Sequence, residues 1–173
     1  MTSTWREPLI IADASPLVGL AKIGRLDLLH RLAVEIWVPT VVWQEIVERG
    51  AGRPEVPALT ASLAHCVREP DPEEFATFRG QVDGGEAAAL ALAARRPEAL
   101  LLMDDQRGRA AAERYGFRYF GTLGLLLRAK RADLISSVKA EAESLLRHGL
   151  HLDPTVIRQV LRAADEVEDE KTQ

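Results

Sequence analysis

Cysteine, histidine and long apolar runs are scarce in this sequence. Cys66 is the one cysteine in 173 residues, so it cannot form a disulfide within the chain, and no Cys or His stands near it at zinc-ligand spacing. No apolar run approaches the roughly 18 to 20 residues of a membrane span, and the N-terminus lacks the basic and apolar segments of a secretory signal. These absences exclude an internal disulfide and predict a cytoplasmic protein with no membrane association.

Most of the chain carries no excess of either positive or negative charge. The net charge is −4, and residues 165–173 account for all of it with five acids and one lysine. This acidic segment has the composition of a disordered tail. Residues 104–131 carry seven Arg or Lys against three acids, which predicts either a local basic surface or ordinary solvated helix faces.

Short apolar segments alternate with helical patterns along the chain, joined by brief connections. This alternation is typical of an α/β domain with a mostly parallel sheet. We expect one domain over 1–164, in which 134–164 form a C-terminal helical extension of two amphipathic helices. The predicted strands are 8–12, 34–38, 65–69, 99–103 and 117–120, of which 65–69 is the weakest.

Acidic residues stand where such a sheet would bring them together. Asp13 follows the first strand, and the adjacent pair Asp104 and Asp105 follows the apolar run ALLLM. Glu45 lies on the helix after the second strand, and Glu86 is at the start of an alanine-rich helix. The carboxyl ends of parallel strands form the functional edge of open α/β sheets, so these acids are candidates for one cleft.

Each acid also has a purely structural explanation. Asp13 can support the turn into the next helix, and Glu45 can lie on a solvated helix face. Asp83 and Glu86 have the spacing of a capping box, and Asp104 or Asp105 can cap the helix that begins near residue 106. The local pattern alone leaves both explanations open.

The paired aspartates favour a metal, because two adjacent carboxylates at the end of a buried strand repel each other unless cations are near. A cleft of several carboxylates suits Mg²⁺ or Mn²⁺, which prefer oxygen ligands. Such an ion activates water for attack on a phosphodiester. Arg107 and Arg109, one helical turn away, are then candidates to neutralise substrate phosphates.

Four segments of the sequence resemble the motifs of the PIN-domain family. LIIADASPLVGLAKIGRLDLL resembles its opening strand and helix, VPTVVWQEIV its second motif and GGEAAALALA its third acidic helix. LLMDDQRGRAAAERYGFRYFGTLGLLLRAKRADLI resembles its fourth motif with a continuation found in the prokaryotic VapC-toxin-like branch. The resemblance covers residues 9 to 135, and the four motifs follow one another in the family's order.

This resemblance implies a Rossmann-like three-layer α/β/α sandwich with a mostly parallel sheet of four or five strands. It also implies a Mg²⁺- or Mn²⁺-dependent endoribonuclease that cuts single-stranded RNA, in many prokaryotic members the toxin half of a toxin–antitoxin pair with a small antitoxin protein as partner. The family often uses the hydroxyl at the position of Ser15 near its site. Carried over by position, the catalytic acids are Asp13, Glu45, Glu86, Asp104 and Asp105, and all of these except Glu45 are expected to bind the metal.

The sequence departs from the family pattern at two positions. The third acid is Glu86, where better-known members have aspartate, and Met103 stands where the fourth motif usually has Ser or Thr. By register, Asp105 is the family's aspartate and Asp104 its neighbour. An alternative hypothesis is therefore a catalytically weak or inactive PIN-like module that binds RNA or protein.

Two other interpretations concern the class of domain and the oligomer. A receiver-type domain also clusters aspartates at strand ends, but it needs a second acid near the first strand and a lysine after a late strand, and neither is evident. Three consecutive leucines at 125–127 exceed what one buried stripe needs, which predicts a homodimer or partner surface.

Overall fold

The fold was obtained as a computed structural model that describes residues 6–167. Its sheet has five strands in the order β3-β2-β1-β4-β5, and every pairing is parallel. The predicted Rossmann-like three-layer sandwich is confirmed. The strands are β1 Glu7–Ala12, β2 Ala33–Pro39, β3 Val67–Arg68, β4 Ala99–Leu102 and β5 Arg118–Phe120.

Helices connect the strands and cover both faces of the sheet, as parallel pairing requires. No helix within residues 6–167 is long and apolar enough to cross a membrane. The helices are α1 Ala14–Lys22, α2 Asp27–Leu32, α3 Thr40–Trp43, α4 Val56–Leu63, α5 Pro72–Phe78, α6 Gly84–Ala94, α7 Gln106–Arg114, α8 Thr122–Arg131, α9 Val138–Arg147 and α10 Pro154–Ala163.

Two apolar clusters hold these layers together, one on each face of the sheet. Side chains alternate between the faces along a strand, so Ile10 points to the cluster that includes α1, α2, α8 and α9, whereas Leu9 and Ile11 point to the cluster of α6 and α7. Leu101 and Leu102 divide in the same way, and both are fully buried. Residues 9–12 and 99–102 are therefore apolar at every position because β1 and β4 are central strands covered on both sides.

The strand order places the carboxyl ends of β1 and β4 side by side. The chain runs from β1 outward through β2 to β3, and then crosses back to β4 and β5 on the other side of β1. The backbone N–H of Asp13 donates to the carbonyl of Leu102 at 2.9 Å, which ties the two strand ends together. The switch point of the sheet thus lies between the first acidic position and the Asp104–Asp105 pair.

Two helices differ from what their sequences indicate. Ser15 before Pro16 has the pattern of a helix N-cap, but the first helix begins at Ala14 with Asp13 as its N-cap, so Ser15 lies inside the first turn and does not cap it. The sequence between Thr40 and Gly50 indicates one helix over 40–50, but the segment is α-helical only as far as Trp43 and continues as a π-helix, Gln44–Glu48. Hydrophobic periodicity does not distinguish the two helix types, and π segments occur frequently at functional sites.

The leucine triplet does not form an exposed surface. Leu125 and Leu126 are fully buried within this chain, and Leu127 packs partly buried against the same cluster. These leucines lie on α8, which packs against both the sheet and the C-terminal helices. The apolar face of α8 is therefore wider than that of a helix with a single buried side. These three residues therefore provide no support for the predicted homodimer.

Glu166 lies just beyond the C-terminal boundary predicted at residue 164, and hydrogen bonds hold its side chain in place. The Glu166 carboxylate accepts hydrogen bonds from the backbone N–H groups of Val138 at 2.7 Å and Lys139 at 2.8 Å. Ser137 Oγ and Lys130 Nζ add hydrogen bonds at 2.9 and 2.8 Å. Composition suggested a solvated acid, whereas the first turn of α9 needs an acceptor for its free N–H groups. Residues 168–173 of the predicted tail lie outside the described residues, as do residues 1–5 of the predicted domain.

Replacing Glu166 by Ala is expected to lower the free energy of unfolding by about 2 kcal/mol, because charge-assisted hydrogen bonds at the start of α9 are lost. Burial raises the pKa of Glu166, but the hydrogen bonds from Lys130, Lys139, Val138 and Ser137 outweigh it and lower that pKa to about 2. The stabilisation is thus present above about pH 4.5 and is lost as pH falls toward 2. Urea denaturation at pH 7 and pH 3 measures it.

The matched control is Glu143→Ala, which removes an exposed glutamate on α9. Equal stability of the two variants at pH 7 would contradict the assigned role of Glu166.

Candidate functional site

Asp13 is buried at the carboxyl end of β1, with 7% of its surface exposed. The N-terminus of α6 approaches it closely, because Gly85 has no side chain. A β-carbon on Gly85 would lie 3.2 Å from Asp13 Oδ1 and 3.5 Å from Asp83 Oδ1. A side chain at position 85 would therefore crowd the carboxylates of β1 and α6, and glycine there permits their close approach.

Glu86 is the most deeply buried acid of this edge, with 1% of its surface exposed. The predicted capping box is confirmed: the N–H of Glu86 donates to Asp83 Oδ1 at 2.8 Å, and the N–H of Asp83 donates to Glu86 Oε2 at 3.3 Å. The second carboxylate oxygen, Glu86 Oε1, has no hydrogen-bond partner among residues 6–167. Glu86 can therefore be both a capping residue and a site residue, because Oε2 completes the capping box and Oε1 is left without a partner.

Met103 and Gly108 form the surroundings of that free oxygen. A β-carbon on Gly108 would lie 3.1 Å from Glu86 Oε1 and 3.1 Å from Met103 Sδ. Met103 is fully buried. Where the family usually has a hydroxyl, this chain therefore places an apolar thioether, which removes water from Glu86 and gives no strong hydrogen-bond donor in exchange.

Asp105 stands opposite Glu86 at the N-terminus of α7. Its Oδ1 accepts the backbone N–H of Arg107 at 2.7 Å and, more weakly, that of Gly108 at 3.4 Å. Burial raises the pKa of Asp105, but its contact with Glu86 and these N–H groups outweigh burial and lower it. Asp105 is therefore the ionised member of a carboxyl pair with Glu86.

Burial and the neighbouring negative charges strongly raise the pKa values of Glu86 and Asp13. Burial, the contact with Asp105 and the charges of Asp83, Asp105 and Asp13 raise the pKa of Glu86 to about 8. Burial, together with the charges of Asp83, Glu45 and Asp105, raises the pKa of Asp13 to about 7, although the N–H of Ala14 opposes this. Excess negative charge in a desolvated place is characteristic of functional sites and of cation sites in particular.

Asp104 is adjacent to Asp105 but contacts the start of α8. Its Oδ1 accepts the N–H of Thr122 at 2.8 Å, and its Oδ2 accepts the hydroxyl of Thr122 at 2.6 Å. The N-cap position of α8 is Gly121, which has no side chain to satisfy the helix N-terminus. Asp104 supplies the missing cap, and each of its oxygens accepts one hydrogen bond from Thr122.

Arg109 belongs to the same structural unit as Asp104. Its Nε donates to the Met103 carbonyl at 3.0 Å, and its Nη2 lies 3.6 Å from Asp104 Oδ1. A β-carbon on Gly121 would collide with this guanidinium and would lie 2.7 Å from Asp104 Oδ1. Arg109 therefore joins the end of β4 to the start of α8.

Replacing Asp104 by Ala is expected to lower the free energy of unfolding by about 2 kcal/mol, because the buried N–H and hydroxyl of Thr122 lose their acceptors. Thermal or urea unfolding measures the difference. Glu113→Ala, an exposed change on α7, is the matched control and is expected to leave stability unchanged. An Asp104 variant as stable as the Glu113 variant would contradict the capping role.

The remaining predicted residues lie at the rim. Glu45 is exposed on the π-helix, and its negative charge helps to raise the pKa of Asp13. Ser15 is exposed in the first turn of α1, and Arg107 is exposed in the first turn of α7. The structure thus brings Asp13, Glu86 and Asp105 together, with Glu45 and Arg107 at the edge.

Sequence reasoning missed Asp83 as a member of this group. It was interpreted only as an N-cap, yet its charge raises the pKa values of both Asp13 and Glu86. The signal was present in the capping-box pattern itself. Once Glu86 is a site residue, its capping partner must lie within hydrogen-bond reach of the same place.

Carboxylate oxygens are the donors that this edge offers to a divalent cation. No group of three or more His, Cys, Asp or Glu side chains within residues 6–167 already lies close enough together to hold a metal ion. The unpartnered, buried Glu86 Oε1 and the repulsion among Asp13, Glu86 and Asp105 nevertheless indicate a missing positive group. Carboxylate oxygens are the ligands that Mg²⁺ and Mn²⁺ prefer, so these three residues fit such an ion in chemical type.

Comparison with known proteins agrees with this geometry. A family model described as a PIN domain matches residues 9–166, and the chain belongs to the PIN-domain family. PIN domains are typically metal-dependent nucleases and generally use divalent metal ions. No curated protein matches the chain at a significant level.

Proposed function

We propose that this protein is a metal-dependent endoribonuclease that cuts single-stranded RNA with Mg²⁺ or Mn²⁺. The observation that carries the proposal is the buried Glu86 oxygen without a hydrogen-bond partner, beside Asp105 and on the same sheet edge as Asp13. An unpaired carboxylate in a desolvated place is costly unless a cation satisfies it. The family supports the same class of chemistry.

Asp13, Glu86 and Asp105 would hold the metal ion, and Glu45 and Asp83 would add negative charge around it. When bound, such an ion activates water for attack on a phosphodiester and stabilises the leaving oxygen. Met103 excludes water from beneath Glu86, which strengthens electrostatic interactions at the site. Arg107, exposed beside Asp105, would bind a substrate phosphate, and the exposed Ser15 would hydrogen-bond the RNA backbone.

The two adjacent aspartates have different roles in this proposal. Asp105 faces Glu86, whereas Asp104 caps α8. Calorimetry with Mn²⁺ tests the division: Asp105→Ala should weaken metal binding by about tenfold or more, and Asp104→Ala should leave it within about twofold. A larger loss in the Asp104 variant than in the Asp105 variant would reverse the assignment.

A second candidate function is a PIN-like module that binds RNA or protein with little or no catalysis. Two observations favour it: the acids are not already gathered at metal-binding distances among residues 6–167, and Met103 replaces a hydroxyl. The same calorimetry separates the two functions. Absence of Mn²⁺ binding at millimolar concentration would favour the binding module, and binding together with RNA cleavage would favour the enzyme.

Within the nuclease proposal, we further propose the toxin role, with a small antitoxin protein as partner. It is supported by the continuation of the fourth motif, which resembles that of the toxin-like branch. Expression of the chain alone should arrest growth of a bacterial host, and co-expression of the small protein encoded next to it should restore growth. Growth arrest that persists in Asp13→Asn would separate toxicity from nuclease activity.

A further inference from the structure

A pocket of about 540 Å³ opens at the end of α1 remote from the acidic edge. Its lining comprises Ala21, Lys22, Arg53, Pro54, Glu55 and His148. α1 begins directly after Asp13 and ends at Lys22, so at 1.5 Å per residue its length separates the pocket from Asp13 by about 13 Å. The pocket is therefore distinct from the carboxylate site.

Glu55 is the unusual residue of this pocket. Only 7% of its surface is exposed, and the structure gives its carboxylate no hydrogen bond or ion pair among residues 6–167. It occupies the N-cap position of α4, yet its side chain does not cap the helix. Glu86 Oε1 is the one buried side-chain oxygen without a hydrogen-bond partner among residues 6–167, so the Glu55 oxygens are open to the pocket and can accept hydrogen bonds from a ligand.

Cationic and imidazole groups surround this carboxylate. Lys22 and Arg53 are exposed at the pocket wall, and neither lies within ion-pair distance of Glu55 in the described part of the chain. His148 Nδ1 lies 2.8 Å from the carbonyl of Ser144. A carbonyl only accepts, so Nδ1 carries a proton, and in the neutral imidazole Nε2 is left as a hydrogen-bond acceptor. The pocket therefore combines cations suited to a phosphate with one acceptor at depth.

We propose that this pocket binds a 5′-phosphorylated guanine nucleotide, with the phosphate on Lys22 and Arg53 and the base on Glu55. A carboxylate accepts two parallel hydrogen bonds from adjacent N–H donors. Guanine presents such a pair on its Watson–Crick edge, whereas uracil presents a single N–H there. The volume is within the range of small-molecule sites. The ligand is either a free nucleotide or a guanylate within RNA, since both carry the same groups.

Isothermal titration calorimetry in EDTA tests the proposal with three probes: GMP, UMP and inorganic phosphate. GMP should bind the intact chain at least about fivefold more tightly than UMP, and phosphate should bind more weakly than either, as expected for one extra charge-assisted hydrogen bond. Absence of GMP binding at millimolar concentration, or equal affinity for GMP and UMP, would overturn the proposal. An RNA oligonucleotide with a 5′-phosphorylated guanosine shows, by binding or failing to bind, whether RNA also supplies the ligand.

Two variants assign the contacts. Glu55→Gln should abolish the preference for GMP over UMP, because one oxygen acceptor is replaced by a donor. Lys22→Ala combined with Arg53→Ala should weaken both nucleotides by about tenfold or more. Lys139→Ala, at the start of α9, is the control for a general loss of positive charge. Unchanged GMP affinity in both pocket variants would refute the site.

The outcome is independent of the nuclease proposal. Asp13→Asn should bind GMP as the unmodified chain does, since Asp13 lies at the other end of α1 and the assay contains no free divalent metal. Failure of RNA cleavage therefore leaves the pocket proposal intact, and failure of GMP binding leaves the nuclease proposal intact.

Discussion

Replacing Asp13 by Asn is expected to reduce Mn²⁺-dependent cleavage of single-stranded RNA by about 10³-fold or more, because a metal-binding carboxylate is lost from the centre of the site. Asp105→Asn should have an effect of the same order. The change is close to isosteric, so the fold is expected to persist. Initial rates on an end-labelled RNA with saturating Mn²⁺, with and without EDTA, measure the effect.

Two further variants serve as comparisons for the cleavage assay. Asp153→Asn changes another aspartate N-cap, at the start of α10, and should retain full activity. Asp104→Asn should reduce the rate far less than Asp105→Asn, because Asp104 is engaged with Thr122. Cleavage that survives both Asp13→Asn and Asp105→Asn would refute the assignment and indicate a contaminating nuclease.

The second large effect is a loss of stability as pH rises in the absence of metal. The pKa values of Asp13 and Glu86 lie near 7 and 8 in the folded protein, above their ordinary values of 3.8 and 4.5. Below about pH 4 both states are protonated, and these groups contribute nothing. Between about pH 4 and 8 the unfolded chain releases protons that the folded chain retains, so the free energy of unfolding falls with rising pH.

We expect the metal-free protein to lose several kcal/mol of stability between pH 5 and pH 8.5 from these two groups. Each pKa unit corresponds to about 1.4 kcal/mol, and relaxation of the folded state around the charged groups reduces the full sum. Glu86→Gln should flatten the slope and be more stable than the unmodified chain at pH 8.5. Urea denaturation in EDTA at several pH values measures this. Addition of Mn²⁺ at pH 8.5 should restore stability to the unmodified chain, since only the folded state binds it.

Glu69→Gln, an exposed change in the loop before α5, is the control and should keep the original pH slope. A slope that is the same in the Glu86 and Glu69 variants would show that Glu86 titrates normally in the folded state. Such a result would also remove the electrostatic basis for a cation at this edge.

The individual elements were predictable from local patterns. ALLLM indicated a strand buried on both faces, and DGGE indicated a capped helix start, and both are present with boundaries within two residues. Each depends on side-chain alternation or on the needs of free backbone groups over a few residues. The π-helix after Trp43 was not predictable, because its i to i+5 bonding leaves the apolar spacing of the segment almost unchanged.

Side-chain partners were much less predictable than elements. Asp104 and Asp105 are indistinguishable by type and spacing, and only the packing of α8 against the end of β4 gives Asp104 its partner. Glu166 and Glu55 looked like ordinary acids for the same reason. One reaches the start of α9 from 28 residues away, and the other is buried beside segments distant in sequence.

The amino-acid sequence by itself determined the alternation of strands and helices, the capped starts of α6 and α7, and the placement of acids just beyond strand ends, because these depend on interactions within a few residues. The tertiary structure decided which of those acids face one another. Strand order puts β1 beside β4, and Gly85 and Gly108 allow α6 and α7 to approach the strand ends, so the buried Asp13 and Glu86 lie at the same edge as the exposed Asp105. Burial and mutual repulsion there arise from contacts between segments far apart in the chain, which no local pattern records.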